Sequence, residues 1–235
     1  MRTVFCITLL LGAVTVCAAE SLFDMRSVSQ PYPLEFDLYA ESGDDPRVVW
    51  TVRWEREGEN YVVYNDSEDL DSMLVLTPDG TPVKNVQWDG SGEITTEAEY
   101  TEERVRLRFR DDDGGMEDKT VRLRKIVYDM GSLFYIVGGL DFSSPVGTEW
   151  EFEVFWSVRR DTVGMKAAYI SDESITLPAG RFDCHRVELG LDGLLGMIFD
   201  FRMNVWIDRT TKRFVKYSQE FNDQETVIAL NTWEN

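Results

Sequence analysis

The only histidine of the chain, His185, stands directly beside Cys184 in the stretch "ITLPAGRFDCHRVELG", residues 175–190. A thiol and an imidazole are the parts of a nucleophile and its base, provided the two side chains come within hydrogen-bond reach. The local pattern speaks against that: Phe182, Val187 and Leu189 surround the pair in what reads as a strand after the "PAG" turn, and neighbouring strand side chains point to opposite faces. The expectation is a structural cysteine, buried as a small hydrophobe, and an incidental histidine. Serine catalysis would need the same histidine as base, and the sequence has no GxSxG elbow. Without a second histidine or a cysteine cluster, neither a zinc or other soft-metal site nor a cofactor is expected.

Carboxylates are abundant, with 43 Asp and Glu. "DDDGG" (111–115) and "NDSEDLDS" (65–72, with Asp66, Glu68, Asp69 and Asp71) are dense in acids but lack the order of an EF-hand loop, which needs alternating ligands, a glycine at its sixth position and a glutamate at its twelfth. They read as solvated turns. A glycosidase pair needs only closeness in space, and nothing in the sequence selects one.

Two other groupings stand out. In "ERVRLRFRD", Arg104, Arg106, Arg108 and Arg110 alternate with Val105, Leu107 and Phe109, and "KTVRLRK" repeats the pattern with Arg122 and Arg124 against Val121 and Leu123. The turn signal "DDDGGMED" between them makes a hairpin that gathers the arginines on one face. Acidic neighbours such as Glu93, Glu97 and Glu99 would pair with them on a solvated face. The sharper reading is a patch for an anion or a partner protein, since Arg suits bidentate carboxylate or phosphate contacts. The second grouping is aromatic: Trp50 and Trp54 share one strand face, Trp150, Phe152 and Trp156 another, and Leu133 and Phe134 lie on a helix. Such residues are first of all core, and on a bent sheet under a helix they are also candidates to line a pocket for an acyl chain.

The elements that must position these residues are mostly strands. Val48, Trp50, Val52 and Trp54 alternate with Val49, Thr51, Arg53 and Glu55. Further strands are expected at 61–64, 72–77, 83–88, 93–99, 150–158, 165–170, 181–189, 198–207, 212–219 and 225–233, separated by "TPDGTP", "WDGSG", "PAG" and "DRTTK". One segment departs from alternation: Met130, Leu133, Phe134 and Val137 recur at three and four, Asp129 can cap the start and Gly138-Gly139 can stop it. This predicts a single short helix packed on the sheet or plugging an opening. Many short strands with turns between them predict a mainly β fold, a single-domain antiparallel half-barrel or open barrel with one short helix.

The N-terminus has Arg2, an apolar run from Val4 to Ala19 and small closing residues, the pattern of a secretory signal peptide over 1–19 cleaved after Ala18 or Ala19. Lipid attachment at Cys17 is the alternative, against which the bulky Val16 counts. Cleavage leaves 23 basic against 43 acidic residues, a net charge of −20, and Cys184 as the one cysteine. Such a chain is repelled by nucleic-acid phosphates and anionic bilayers, so no nucleic-acid partner is expected. Charges interrupt every later apolar run, so no transmembrane segment is expected in the mature chain. Residues 20–46, with Pro31, Pro33, Pro46 and "ESGDD", read as a loosely structured lead-in to one β domain over 47–235.

"TPDGTPVKNVQWDG", "KIVYDMGSLFYIVGGLDFSSPVGTEWEFEVF", "ITLPAGRFDCHRVEL" and "VWIDRTTKRFVKYS", in that order, resemble the bacterial exported family catalogued as domain of unknown function 3108, over about 47–231. The resemblance implies a strongly bent antiparallel sheet, export to the periplasm or cell envelope of a Gram-negative-type bacterium, and a fold-level analogy with periplasmic lipoprotein-carrier half-barrels. It carries over no residue role. The functional expectation is a non-catalytic envelope protein binding a hydrophobic ligand, such as a lipid or acyl chain, in a concave sheet lined by Trp50, Trp54, Leu133, Phe134, Trp150, Phe152 and Trp156. The alternative is an interaction module that docks an envelope protein partner through the arginine face. A carboxylate-based hydrolase ranks last.

Overall fold

The computed structural model describes residues 21–28, 34–40, 48–67, 70–193, 196, 201–221 and 224–232. The expected leader over 1–19, with Cys17, and the acids Glu68 and Asp69 lie outside the described residues.

The strands are β1 (Leu34–Ala40), β2 (Val48–Glu57), β3 (Asn60–Asp66), β4 (Leu70–Leu76), β5 (Pro82–Asp89), β6 (Ile94–Tyr100), β7 (Arg104–Arg110), β8 (Met116–Arg122), β9 (Val127–Asp129), β10 (Glu149–Trp156), β11 (Asp161–Leu177), β12 (Gly180–Leu191), β13 (Arg202–Asp208), β14 (Phe214–Phe221) and β15 (Gln224–Thr232). They form one 15-stranded sheet in the order β8-β7-β6-β5-β4-β3-β2-β1-β15-β14-β13-β12-β11-β10-β9. Neighbouring strands run antiparallel throughout, except for β9 beside β10, which is parallel. The near-sequential order reflects the short polar turns, which favour hairpins over crossovers.

The sheet curls until its two ends meet through side chains. Ala98, Val105, Leu107 and Phe109 from β6 and β7 bury themselves against Val127 of β9 and Phe155 of β10, a second small core that brings the half-barrel's ends together. Period-two burial in β7, where Val105, Leu107 and Phe109 are buried and Arg104, Arg106 and Arg108 exposed, is the alternation legible in the sequence.

The main core lies inside the curl, and two short segments help to fill it. Met130–Ser132 and Val137–Gly139 are 3-10 turns flanking a short α-helix, α1 (Leu133–Ile136). Leu133, Ile136 and Val137 are fully buried against Val52, Val63, Leu74, Met165, Leu189 and Val205. Asp129 caps the start as expected, its side chain accepting from the Gly131 N–H. The other segment is residues 21–28, whose Phe23, Met25 and Val28 are buried in the same core.

That second segment corrects the reading of 20–46 as a loose lead-in. Residues 21–28 pack inside, and β1 is the strand between β2 and β15, joining the first and last parts of the sheet. The β domain therefore starts well before residue 47. The prolines and "ESGDD" that suggested a lead-in flank β1, whose own "LEFDLYA" alternates.

Candidate functional site

The sequence-predicted lining residues are spread through the core. Trp50 and Phe134 meet with ring centroids 6.1 Å apart, and Phe134 lies 4.7 Å from Tyr217 and 5.7 Å from Phe214. Trp54 abuts Tyr135 at 5.5 Å, Phe152 abuts Phe23 at 5.5 Å, Trp150 faces Phe142 at 6.5 Å, and Trp156 lies 6.1 Å from Phe201. Leu133 and Phe152 are buried and the other five half-buried. Trp50 and Trp54 thus meet the α1 segment and Phe152 meets residues 21–28, so the chain's own side chains occupy part of the inner face.

The α1 segment is anchored at both ends. At its start Asp129, 2% exposed, accepts from both directions: Asn85 Nδ2 lies 3.1 and 3.0 Å from its two oxygens, the Gly131 N–H donates at 2.7 Å, and the Tyr100 hydroxyl donates to Oδ2. Burial pushes the Asp129 carboxyl above its ordinary range, opposed by these hydrogen bonds. Asn85 Oδ1 is buried without a hydrogen-bond partner among the described residues. In the middle of the segment, the Tyr135 hydroxyl donates to Asn65, whose amide donates to Ser72 Oγ at 2.8 Å. At its end, Gly138 and Gly139 do more than stop a helix: they let two other backbone segments approach, the Lys212 carbonyl at Gly138 and Asp24 at Gly139. The Asp24 N–H donates to the Gly139 carbonyl at 3.0 Å.

His185 belongs to this second anchor and is not incidental. Its ring stacks on Phe142 with centroids 4.2 Å apart and planes 10° from parallel. Nδ1 lies 2.7 Å from Asp172 Oδ1, while Nε2 faces Lys212 Nζ at 3.1 Å. The network assigns Nδ1–H as donor to Asp172 and Nε2 as acceptor from the lysine. The Tyr169 hydroxyl donates to the same Asp172 oxygen at 2.6 Å. Tyr169 and Asp172 are three apart and would face opposite ways on a regular strand. A bulge between Tyr169 and Ser171 adds the extra residue that turns both toward His185. Lys212 sits at φ +60°, and its ammonium lies 4.7 Å from the Phe142 ring centroid. Cys184 is buried with no exposure, and burial pushes its thiol up to about 12, which leaves no thiolate for chemistry at neutral pH. The pair is thus two neighbours with separate packing roles, and Tyr169, Asp172 and Lys212 are the partners that sequence reading missed.

Burial, first of all, and Lys212 hold the His185 ring below its ordinary 6.5, against the pull of Asp172. The unfolded chain therefore takes up this proton first, and stability is lost as pH falls below 6.5 toward the folded value. The single imidazole should titrate below 6.5 by NMR, and acidification through that range should lower the thermal midpoint of the protein more than that of His185→Gln. Titration at or above 6.5 would contradict the assigned Lys212 contact.

The arginines divide. Arg110 is held by Asp89 at 2.7 Å and Glu93 at 3.6 Å. Arg106 stands across from Glu99, and Arg108 across from Glu97 on one side and Asp118 on the other. Arg104 instead faces Arg122 directly, and Arg124 lies past the end of β8, outside the ladder.

Beside the Asp129 cluster an open groove of about 840 Å³ runs along the seam where β5 and β6 approach the chain entering β9. Pro82, Val83, Leu123, Ile126 and Val127 supply its apolar lining, with Glu102 and Glu103 and, also, Arg124 and Lys125 along it. Tyr100 lines the groove while its hydroxyl reaches Asp129.

A curled antiparallel sheet with a short internal helix places the molecule among barrel-like β folds. The chain belongs to the family described as "Protein of unknown function (DUF3108)", whose model matches residues 33–228. Its fold is similar to that of a β-barrel-like protein of domain of unknown function DUF1849 from Brucella abortus, at 9% identity and a TM-score of 0.57, covering 87% of this chain and 98% of that one. The hypothetical lipoprotein YmcC from Escherichia coli matches at 10% identity and a TM-score of 0.36, covering 92% of this chain and 91% of that one. No curated protein matches the sequence. Among the described residues no helix is long and apolar enough to cross a membrane.

Proposed function

We propose that this is a non-catalytic cell-envelope protein that binds an amphipathic hydrophobic ligand, such as a lipid or acyl chain. The observation that carries the reading is the seam groove: its volume, about 840 Å³, lies within the roughly 300–1,000 Å³ of ordinary ligand sites, and it sets an apolar lining beside charges of both signs. The inner face, where the sequence suggested the ligand would lie, is the less accessible seat, because α1 and residues 21–28 pack against it. In the groove a hydrocarbon chain would lie on Val83, Leu123 and Ile126 while a polar headgroup meets Arg124 or Glu102. Export rests on the leader pattern of residues 1–19.

The test is native mass spectrometry of the protein purified gently from its own envelope, with lipid extraction. A stoichiometric amphiphile is expected, and it should be lost in Val83→Glu, which places a charge on the groove lining outside both cores. A clean apo mass that stays unchanged after incubation with envelope lipids would overturn the proposal. Retention of the ligand by Val83→Glu would move its seat elsewhere.

A further inference from the structure

The hairpin of β7 and β8 ends the sheet with a row of arginines, of which Arg106 and Arg108 stand across from Glu99, Glu97 and Asp118 while Arg104 and Arg122 stand across from each other. Among the described residues no ion pair is made by Arg104, Arg106, Arg108, Arg122 or Arg124, whereas Arg110 on the same strand has two acidic partners. Glu97, across from Arg108, is engaged by Lys84 Nζ at 2.5 Å. Arg104 and Arg122 are paired directly, an arrangement that destabilises a sheet unless something anionic joins it.

The hydrogen-bond phase of the hairpin sharpens this. The Asp111 N–H donates to the Gly115 carbonyl at 2.8 Å, and the Leu123 N–H to the Glu103 carbonyl at 2.7 Å. Because antiparallel pairs alternate, Glu117, Lys119 and Val121 bond to β7, while Met116, Asp118, Thr120 and Arg122 aim their N–H and C=O groups away from it. Arg104 and Arg122 thus form a non-hydrogen-bonded pair, whose Cα atoms stand only about 4.5 Å apart. β8 is an end of the sheet, and all of it except Val121 is exposed.

We propose that the free edge of β8 receives an extended acidic segment of a partner protein as an additional strand. Its alternate carboxylates face Arg122 and reach Arg104, and Arg124 extends the same patch. Main-chain bonds to the outward groups of Met116, Asp118, Thr120 and Arg122 supply binding, and Arg122, Arg104 and Arg124 select acidic residues at the Arg122 end of the segment, since Asp118 occupies the same face further along β8. A peptide fits this edge better than a lipid surface. The row of outward N–H and C=O groups pairs with another backbone and not with a bilayer. Charged edges deter indiscriminate strand pairing, and this one leaves an acidic strand as the charge-matched guest.

The test measures fluorescence anisotropy of a labelled ten-residue peptide alternating Glu and Thr, titrated with the full chain at low salt. It should bind at least about tenfold tighter than a matched Lys/Thr peptide, and weaken as salt rises. Thr120→Pro removes an outward N–H and leaves the ladder to β7 intact, so it should weaken binding about tenfold, as should Arg104→Glu with Arg122→Glu. Thermal midpoints confirm that each variant folds, and Asp118→Pro blocks the same edge should Thr120→Pro fail to fold. Equal binding of the two peptides overturns the proposal, as does a folded proline variant that binds like the parent. Uptake by phosphatidylglycerol vesicles without peptide binding overturns it in favour of a membrane contact.

Discussion

Replacing Gly138 by alanine should cost about 3 kcal/mol of folding stability or more, enough to lower the thermal midpoint by roughly 6–12 °C for a domain of this size. The added Cβ would overlap the Lys212 carbonyl oxygen and stand 3.0 Å from the carbonyl carbon, and those atoms are backbone with no rotamer to escape into. Lys212 is further pinned by its N–H to the Asp208 carbonyl at 2.8 Å and by its ammonium on His185. Either the 208–212 turn or the end of the α1 segment must move, and the latter is buried, with Val137 in the core. Gly58 provides the control: it has φ +63° and nothing within 4 Å of the place a Cβ would take, so alanine there meets only the left-handed backbone penalty of about 1 kcal/mol. Urea or thermal denaturation of the two variants measures the difference. Equal costs would mean that the close approach of Lys212 to Gly138 is not kept in solution.

Asp129→Ala should be nearly as damaging, at about 3 kcal/mol, for a different reason. It removes at once the acceptor for the Asn85 amide, the Tyr100 hydroxyl and the Gly131 N–H, at a position 2% exposed, and with them the cap of the α1 segment. Relief from burying a carboxylate offsets part of the loss. Asp129→Asn should stay within about 1 kcal/mol of the parent, because its amide can donate to Asn85 Oδ1, which now lacks a partner among the described residues, while its oxygen still caps Gly131. The pH dependence has a definite sign. Burial raises the folded carboxyl above its ordinary 3.8, so the native state holds this proton longer than the unfolded chain. Its contribution is therefore greatest at acid pH and declines as pH rises through the folded value. Comparing denaturation midpoints with pH for the parent and Asp129→Asn isolates this limb, which should be absent in the variant. An alanine variant as stable as the asparagine one would show that the three donors find other partners.

Most of the strands and the α1 segment are written locally. Val105, Leu107 and Phe109 against their arginines, Trp50 and Val52 against Arg53, and Met130 to Val137 at helical spacing each reveal an element from a few residues, because burial on one face imposes a fixed period. The antiparallel half-barrel follows from those strands and their turns. β1 was legible in its alternation yet hidden by flanking prolines, and β9 is too short, at 3 residues, to show a period.

The candidate site was much less visible, since its parts meet only through the curl. Asp129 could be read as a cap, but Asn85 lies 44 residues away from it, and no sequence period links the two. Likewise Gly138-Gly139 reads as a helix stop, while the Lys212 carbonyl and Asp24 that make these glycines necessary come from opposite ends of the chain. The bulge in β11 reverses which face Asp172 occupies, so a rule that places neighbours on alternate faces could not bring Tyr169 and Asp172 to one histidine. By itself the sequence determined the period of each strand, the acidic balance and the arginine face, all properties of residues near one another in the chain. The tertiary structure alone decided that α1 and residues 21–28 occupy the inner face, that a groove opens at the seam instead, and that Arg104 stands against Arg122. Those outcomes depend on strand register and on how far the sheet bends, which are set by the packing of residues distant in sequence.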